Sequence, residues 1–413
     1  MGKGNRLLFI NLHYWPDVAA TGQNLTDLAE YLAKHRFQVT VITSKLRYQS
    51  GQHRIPFYEQ RNGVNIYRVP VTSFGRSSTV GRILDYVSFF VLAAGVALVK
   101  LRSFDTVITL TTPPFIGVIG RFVQKLFRKH HLIWSMDLHP EAEFRLGMIQ
   151  SSSPVARLLT AISSAVTKNA DHIVSLGKSM SGIIKERYGV DEAQITEIKI
   201  WSSKTDISPQ PREAGLHLLP DAYKNRFIIQ YSGNMGLVHH FETFCQTIQL
   251  FKNDDSIAFV FQGEGPRKKE VQSFVEQHQL ANVLFLPYVD RAELSCSLAK
   301  AHIHWLSLRT DMSGIALPAK TYGYMASARP ILFVGSEKSD TAEDIKQAKC
   351  GYIAAPGEAE LLAEHIRSLQ ADDSMRQQMG ENGHSYFLNH AEEKVCCEQW
   401  LRVLQEKRVQ ADE

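Results

Sequence analysis

The stretch Tyr231-Ser232-Gly233-Asn234-Met235-Gly236 decides the fold, because it predicts a strand that ends in small residues just before an amphipathic helix beginning near residue 239 or 240. Such a turn lets backbone N–H groups and the positive end of a helix come close to a phosphate. An ordinary strand-to-helix turn that needs glycine for its geometry has the same sequence. The residues around it must decide between the two.

Strand-like apolar runs alternate with helix-like segments on both sides of this stretch. Before it, the sequence predicts strands at 7–12, 39–43, 106–110, 131–134 and 172–175, a helix at about 23–34 and a hairpin-like stretch at 64–69. After it, strands are predicted at 226–231, 257–262, 283–285, 303–306 and 330–334. Such alternation is typical of parallel sheets covered by helices.

The alternation restarts after residues 202–225, a polar segment whose three prolines predict an interdomain linker. A chain of 413 residues is long enough for two domains. We therefore expect an α/β protein of two doubly wound, Rossmann-like lobes, residues 1–205 and 206–390, with a ligand-binding cleft between them at the carboxyl ends of the strands. A terminal helix at about 391–413 is expected to pack on one lobe or the other.

Composition excludes several classes of protein. The net charge is only +4 and no basic tract is interleaved with aromatic residues, which argues against nucleic-acid binding. The five cysteines lack the spacing of zinc sites and are expected to be reduced thiols in a cytoplasmic protein. The first apolar run is not followed by a small-residue cleavage site, so it predicts a buried strand rather than a signal peptide.

Residues 83–99 form an almost entirely apolar segment, with Arg76 and Arg82 before it and Lys100 and Arg102 after it. The early acid Asp85 argues against a membrane-spanning helix. Burial against the first sheet is the simplest expectation. An interfacial helix that rests on anionic lipid is the alternative.

Two polar loops of the first half follow predicted strands and contain candidate site residues. In residues 11–23, His13 and Tyr14 are candidates for contacting a ligand, Thr21 for capping a helix and Gly22 for letting a ligand come close. Packing is the ordinary alternative for the two aromatic side chains.

In residues 135–141, His139 lies between Asp137 and Glu141. Carboxylates on either side can tune the charge and orientation of a histidine for general acid or base chemistry. Local capping or pairing by the two acids is an equally ordinary interpretation.

Two loops of the second half are rich in glycine and basic residues. In residues 262–269, Gly263 and Gly265 allow close backbone approach and Arg267 is a candidate for meeting phosphate charge, whereas the two lysines that follow are expected on a solvated face. In residues 307–330, Lys320 stands at a predicted helix start and is the strongest single candidate for binding a phosphate.

These residues resemble glycosyltransferases of family 4, which share the fold called GT-B. The likeness is to the bacterial subset of surface-polysaccharide enzymes with the loop S-L-R…G…P-S-K-x-Y-G, which here reads Ser307-Leu308-Arg309, Gly314 and Pro318-Ala319-Lys320-Thr321-Tyr322-Gly323. The opening stretch with Phe241-Glu242-Thr243 resembles that subset's donor-lobe opening, and Leu286-Pro287-Tyr288 resembles its loop near the nucleotide base. The likeness extends over nearly the full length.

The resemblance implies an enzyme that transfers a hexosyl or N-acetylhexosaminyl sugar from a nucleotide-diphosphate sugar, a UDP-sugar, to an acceptor hydroxyl with retention, in polysaccharide or glycoconjugate synthesis. Donor binding is expected from Gly233, Asn234, Met235, Gly236, Gly263, Gly265, Arg267, Tyr288, Ser313, Gly314, Lys320 and Tyr322. The acceptor is expected at His13, Tyr14, Thr21 and Gly22, with His139 or Asp137 assisting its hydroxyl.

Resemblance also bears on partners and location. Surface-polysaccharide relatives act on lipid-linked saccharides at the inner face of a membrane, which would suit a peripheral contact through residues 83–99. The terminal helix would cross back to the first lobe.

No D-x-D pair is present in the sequence, so a metal that bridges the diphosphate has no evident carboxylate anchor. We therefore expect no metal and no cofactor, with lysine, arginine and backbone donors of Gly233 to Gly236 stabilising the leaving group. Ser313 stands where the subset commonly has an acid. Its loss leaves open a catalytically silent nucleotide-sugar-binding partner subunit. A sugar epimerase on the same fold is a further alternative.

Overall fold

The computed structural model describes residues 5–17, 19–45, 55–74, 79–203 and 205–412. The chain divides into two compact units, with boundaries at 199/200 and 395/396, so that the end of the chain belongs to the first unit. Each unit contains a sheet of its own.

The first unit contains a sheet in the order β3-β4-β2-β1-β5-β6-β7-β8. Its strands are β1 (Arg6–Ile10), β2 (Gln38–Ser44), β3 (Tyr58–Arg61), β4 (Val64–Val69), β5 (Thr106–Thr109), β6 (His130–Trp134), β7 (His172–Ser175) and β8 (Ile195–Glu197). Its helices are α1 (Ala20–Lys34), α2 (Thr79–Val99), α3 (Gly117–Phe127), α4 (Glu141–Arg145), α5 (Pro154–Thr167) and α6 (Lys178–Tyr188). All pairs are parallel except the β3–β4 hairpin.

The second unit contains a parallel sheet in the order β11-β10-β9-β12-β13-β14. Its strands are β9 (Phe227–Ser232), β10 (Ile257–Gln262), β11 (Val283–Leu286), β12 (Ile303–Ser307), β13 (Ile331–Val334) and β14 (Gly351–Ala354). Its helices are α7 (Asp221–Lys224), α8 (Glu242–Leu250), α9 (Lys268–Gln277), α10 (Leu294–Ala299), α11 (Lys320–Ala326), α12 (Asp340–Ala348), α13 (Ala359–Ala371) and α14 (Asp373–His390), and α15 (Glu393–Asp412) follows.

The strand order of the second sheet reverses between β9 and β12. The chain proceeds outward from β9 through β10 to β11 on one side, then returns and proceeds from β12 to β14 on the other. Ligands of doubly wound sheets bind at such a switch point, beyond the carboxyl ends of the strands. We therefore expect a ligand site at the loops after β9 and β12.

Buried apolar side chains hold each sheet to its helices. In the second unit, Phe244 of α8 stacks on Trp305 of β12 with ring centroids 4.1 Å apart, and both side chains are buried. In the first unit, Phe89 of α2 packs with Leu8 of β1 in the core. Strands that are buried on both faces have continuous apolar runs, which is why the sequence predicted most of them well.

The predicted linker, residues 202–225, is not a free segment where the structure describes it, at residues 202–203 and 205–225. Arg212 donates to the carbonyl oxygens of Lys224 and Arg226 at 2.7 and 3.2 Å, and Arg329 donates to that of Gln210 at 3.0 Å. Prolines here interrupt regular structure, but arginine hydrogen bonds fix the segment to the second unit. The domain boundary therefore lies earlier than the predicted 205/206.

Helix starts and two strands also differ from the predictions. α8 begins at Glu242 rather than near 239 or 240, and α1 begins at Ala20 rather than about residue 23. The strands β8 and β14 were not predicted, because they are short and most of their residues are only half-buried.

α2 is buried on one face only. Ala93 and Ala97 are fully buried, whereas Val80 and Val91 are 67% and 66% exposed. By length and composition alone, residues 80–99 are long and apolar enough to cross a membrane. The prediction that the sheet covers this segment is therefore right for one face and wrong for the other.

The terminal helix α15 contributes to the first unit. Its Trp400 is fully buried and contacts Trp134 of β6 edge to face, with ring centroids 4.9 Å apart.

Candidate functional site

Lys320, at the start of α11, reaches back to the end of β9. Its Nζ donates to the Tyr231 hydroxyl at 2.5 Å and to the Asn234 carbonyl oxygen at 3.3 Å. The same ammonium lies 3.9 Å from the centre of the Tyr231 ring, within cation–π distance. The sequence-predicted lysine and glycine loop therefore meet at the switch point of the second sheet.

His239 completes this cluster, and the sequence did not single it out. Its Nδ1 donates to the carbonyl oxygen of Ser307 at 2.5 Å, so its Nε2 is the acceptor that faces the Lys320 ammonium at 3.4 Å. Burial, and then the nearby Lys320 charge, holds the pKa of His239 well below its ordinary value. The lysine therefore faces a neutral imidazole rather than a second cation.

Within the described part of the chain, no carboxylate pairs with the Lys320 ammonium. Burial lowers its pKa to about 7. Among the described residues, none of the ion pairs involves Lys320. A desolvated charge that the protein leaves unpaired is stabilised by any anion that comes close, because the anion replaces the lost hydration.

Glycines bring the neighbouring loops together. Gly263 has φ +130°, and a Cβ there would lie 2.3 Å from the carbonyl oxygen of Gly233. A Cβ on Gly233, whose φ is +129°, would lie 3.2 Å from Cε of Lys320. Any side chain at either position would disturb the cluster.

Two of the predicted backbone donors are already occupied. The amide of Gly233 donates to the carbonyl oxygen of Gln262, and that of Met235 donates to Glu264, both at 2.8 Å. These bonds fix the loop, so the prediction that all four amides face a phosphate is wrong. The amides of Asn234 and Gly236 are the candidates that remain.

Arg267 is engaged by the protein itself. Its guanidinium donates to Glu242 at 2.6 Å, to Glu270 at 2.5 Å and to the carbonyl oxygen of His239 at 2.6 Å. Burial acts to lower the pKa of Arg267, but the hydrogen bonds and charges of the two carboxylates raise it overall. The predicted phosphate contact by Arg267 is replaced by a structural role, in which it holds the loop that carries His239.

Tyr322 does not face a ligand. Its side chain is fully buried, and its hydroxyl donates to Asp344 at 2.7 Å. The third residue of α11 points into the protein when the first points to the site, so the predicted donor contact is wrong.

The remaining predicted donor residues lie in loops of the same unit. Tyr288 is 40% exposed, and its Cε1 is 3.2 Å from where a Cβ of Gly263 would stand. A Cβ on Gly265 would meet the backbone of Met235. Ser313 is half-buried and precedes Gly314, which has φ +74°. An exposed ring beside a glycine loop is suited to stacking on a base.

His139 and Asp137 line one small cavity in the first unit, of about 60 Å³, together with Thr111 and Ser163. His139 Nδ1 bonds to Glu143 at 2.8 Å, and its backbone oxygen accepts from the Ser163 hydroxyl at 2.7 Å. The predicted pair is therefore together, but the carboxylate that contacts the imidazole is Glu143. Glu141 instead accepts from Tyr188.

The charge states of this pair follow from their surroundings. Burial acts to lower the pKa of His139, but the hydrogen bond and charge of Glu143 raise it overall. Burial raises the pKa of Asp137. His139 is therefore better suited to donating a proton or a hydrogen bond, and Asp137 to accepting a proton.

The loop after β1 is packed where the structure describes it, at residues 13–17. His13 is paired with Asp17 at 2.6 Å, and Tyr14 is buried, with its pKa raised by burial. A Cβ on Gly22 would lie 3.1 Å from His13, so this glycine makes room for the chain itself. Thr21 lies inside α1 and does not cap it. Tyr14 is therefore not exposed to an acceptor, and Thr21 does not have the predicted capping role. The acceptor contacts of His13, Thr21 and Gly22 stay predictions.

Two residues of the candidate sites, His239 and Glu143, were not predicted from the sequence. His239 follows the motif at residues 231–236, and Glu143 follows the one at residues 135–141. Their nearness to these motifs is the only signal that the sequence offers. The partners of His239 in space, Ser307 and Lys320, are more than sixty residues away from it, whereas Glu143 is only four residues from His139.

Two family descriptions match consecutive parts of the chain. Residues 20–201 match "Glycosyl transferase 4-like domain", and residues 220–386 match "Glycosyl transferases group 1". Together they cover most of both units. The chain belongs to glycosyltransferase family 4.

Two curated proteins are similar to this family 4 glycosyltransferase. WbjE of Pseudomonas aeruginosa, named a probable glycosyltransferase, is 26% identical over 65% of this chain and 66% of its own length, just under two thirds. WcaI of Escherichia coli K12, which bears the name of a colanic acid biosynthesis glycosyl transferase, is 24% identical over 82% of this chain and 83% of its own length.

Solved structures show the same GT-B fold. Sucrose-phosphate synthase from Thermosynechococcus elongatus superposes with a TM-score of 0.77 at 15% identity, covering 98% of this chain and 99% of that one. Anabaena HepE in complex with UDP-glucose superposes with a TM-score of 0.71 at 12% identity, covering 97% and 99%.

Proposed function

We propose that this family 4 glycosyltransferase transfers a sugar from a UDP-sugar to an acceptor hydroxyl, with retention and without a metal, in surface-polysaccharide synthesis. The observation that carries this proposal is the Lys320 ammonium, which has no carboxylate partner among the described residues and lies on Tyr231 at the switch point. The names of WbjE and WcaI support glycosyl transfer, the biosynthetic process in the name of WcaI supports the pathway class, and the HepE complex supports UDP.

The second unit holds the leaving group in this proposal. The bond between the anomeric carbon and the diphosphate oxygen breaks, and charge develops on the diphosphate. Lys320 and the amides of Asn234 and Gly236 stabilise that charge. Tyr288 stacks on the base. A neutral His239 keeps Lys320 aimed at the diphosphate without competing for the anion.

The first unit acts on the acceptor. The acceptor oxygen forms the new bond to the anomeric carbon, and its proton passes to Asp137 or to the departing diphosphate. His139, which Glu143 helps to keep protonated, donates a hydrogen bond to the bound sugar. We propose a lipid-linked saccharide as the acceptor, at the cytoplasmic face of a membrane.

Metal independence is part of the proposal. No D-x-D pair occurs in the sequence, and the described ranges contain no group of three or more His, Cys, Asp or Glu side chains placed to hold a metal. Unchanged turnover in EDTA is the expected result. Loss of turnover that magnesium or manganese restores would refute it.

Lys320→Ala tests the donor site. We expect UDP binding, measured by calorimetry, to weaken by about 10-fold or more, because a charge-assisted bond to phosphate is lost. Lys268→Ala is the matched control, since Lys268 is paired with Glu264 at 2.6 Å, unlike Lys320. Equal affinity of the wild type and Lys320→Ala would refute the proposal.

Ser313 favours a second candidate, a nucleotide-sugar-binding subunit without turnover. It offers a hydroxyl where a carboxylate would be expected. UDP-sugar binding without product from any acceptor would favour this candidate, and acceptor-dependent product from the pure protein would exclude it. Conversion of the donor alone would instead indicate an epimerase.

A further inference from the structure

The outer face of α2 is an apolar stripe. Val80, Val87 and Val91 are 67%, 52% and 66% exposed, and their spacing of seven and four residues places them on one side of the helix. The opposite side is packed into the core through Phe89 and Ala93. α2 therefore has apolar side chains on its exposed side as well as on the side that packs into the core.

Two neighbouring helices extend this stripe into a surface. α3 contacts both α2 and α5. The three helices connect strands that advance in one direction across the sheet, and right-handed crossovers place such helices on one face. Phe122 and Leu126 of α3 are 44% and 57% exposed, and Val155 and Leu158 of α5 are 56% and 60% exposed. We call the outer side of α2, α3 and α5 the apolar layer.

The charges around the apolar layer are almost all positive. Residues 79–105, 117–129 and 154–168 contain nine Lys or Arg and two acids, Asp85 and Asp105. Asp85 is buried and accepts from Thr72 and the amide of Phe74, and Asp105 is paired with Arg6. The exposed charges of the layer are therefore basic, among them Arg102, Lys125, Arg128, Arg157 and Lys168.

We propose that the apolar layer lies on the surface of an anionic bilayer. Exposed aliphatic and aromatic side chains enter the boundary between headgroups and acyl chains, and the basic side chains meet lipid phosphates. This inference goes beyond the proposed function, because it depends on the surface alone and not on the donor or the reaction.

Other occupants fit the surface less well. A transmembrane α2 would take Phe89, Ala93 and Ala97 out of the core of the first unit. A second copy of the chain would bring two basic surfaces together, and like charges face to face are unfavourable. An anionic bilayer would bury the apolar side chains of the layer and attract its basic side chains.

Vesicle co-sedimentation of the full chain tests the proposal. We expect binding to vesicles of phosphatidylcholine with phosphatidylglycerol, weaker binding to phosphatidylcholine alone, and release at about 1 M salt, where charges are screened. The triple variant Val80→Gln, Val87→Gln, Val91→Gln should weaken binding by about 10-fold or more. Lys125→Gln with Arg157→Gln should weaken it by about 5-fold for each charge.

Matched controls lie in the second unit. Leu250→Gln with Leu388→Gln removes exposed apolar side chains, and Lys252→Gln with Lys269→Gln removes exposed charges, outside the apolar layer. These controls should bind vesicles as the wild type does. UDP affinity, measured without vesicles, should be the same in every variant, which separates this inference from the proposed function.

Three outcomes would overturn the inference. They are absence of binding to the anionic vesicles, binding that the triple variant leaves unchanged, and retention on the membrane at high salt and in alkaline carbonate, which would indicate an inserted helix. Sedimentation velocity tests the remaining alternative, a second copy of the chain. A wild-type dimer that the triple variant converts to monomer would show that the layer binds a second copy instead.

Discussion

Lys320 binds an anion only while it carries its proton, so its lowered pKa has a consequence for the donor. The pKa of this ammonium is about 7 in the free protein, because burial disfavours its charge. A bound diphosphate favours the charge and raises the pKa in the complex. Donor affinity is therefore coupled to pH.

We expect UDP-sugar affinity to be constant below about pH 7 and to fall by up to about tenfold per pH unit above it, until the pKa of Lys320 in the complex is reached. Calorimetry from about pH 6 to 9 measures this. Lys320→Arg stays charged over the whole range, so its affinity should not depend on pH. A wild-type affinity that is constant across the range would contradict the assigned role.

Glu143 is predicted to keep His139 protonated. Replacement by glutamine removes the charge that raises the pKa of His139 and leaves the burial that lowers it. The pKa of His139, measured by NMR of the ring protons, should therefore fall in Glu143→Gln. Activity that depends on the imidazolium should be lost at a lower pH than in the wild type. Glu360→Gln, an exposed change in α13, is the control and should leave both quantities unchanged.

Among the structural elements, the loop after β10 depends on Gly263. In Gly263→Ala, the new Cβ would stand 2.3 Å from the Gly233 oxygen in a backbone conformation that alanine disfavours. We expect a loss of about 1–3 kcal/mol in unfolding free energy and weaker UDP binding. Gly357→Ala is the control: its φ is +94° with open space around it, so strain without a clash should leave UDP affinity unchanged. Normal UDP binding by Gly263→Ala would contradict the close approach of the loops.

The terminal helix α15 should be essential to the first unit. Trp400 is fully buried on Trp134, so Trp400→Ala should cost about 3–5 kcal/mol of unfolding free energy, measured in urea. Arg402→Ala, an exposed position on the same helix, should cost little. A small effect of Trp400→Ala would show that α15 adds little to the core.

The strands and loops also show how much of the structure can be predicted from the sequence. Buried strands such as β7 and β10 have the predicted bounds, because a continuous apolar run signals burial on both faces. The loop glycines and Lys320 were found because their motif spacing reflects local geometry. Tyr322 and Arg267 were assigned to the wrong partners, because only the folded chain brings Asp344 to one and Glu242 to the other.

At the scale of the whole molecule, the two units have separate cores, and the proposed donor residues all lie in residues 200–395. A ligand stabilises the part of a protein whose native state binds it, by about 2.7 kcal/mol at a hundred times its dissociation constant. UDP should therefore protect the second unit far more than the first.

Hydrogen exchange followed by mass spectrometry measures this protection along the chain. With saturating UDP, we expect slower exchange in the peptides that contain β9, β10 and α11, and little change in β1, β5 and β6. Lys320→Ala should lose this protection at the same UDP concentration, because its site no longer holds the diphosphate. Protection confined to the first unit would place the nucleotide there and overturn the assignment of the donor to the second unit.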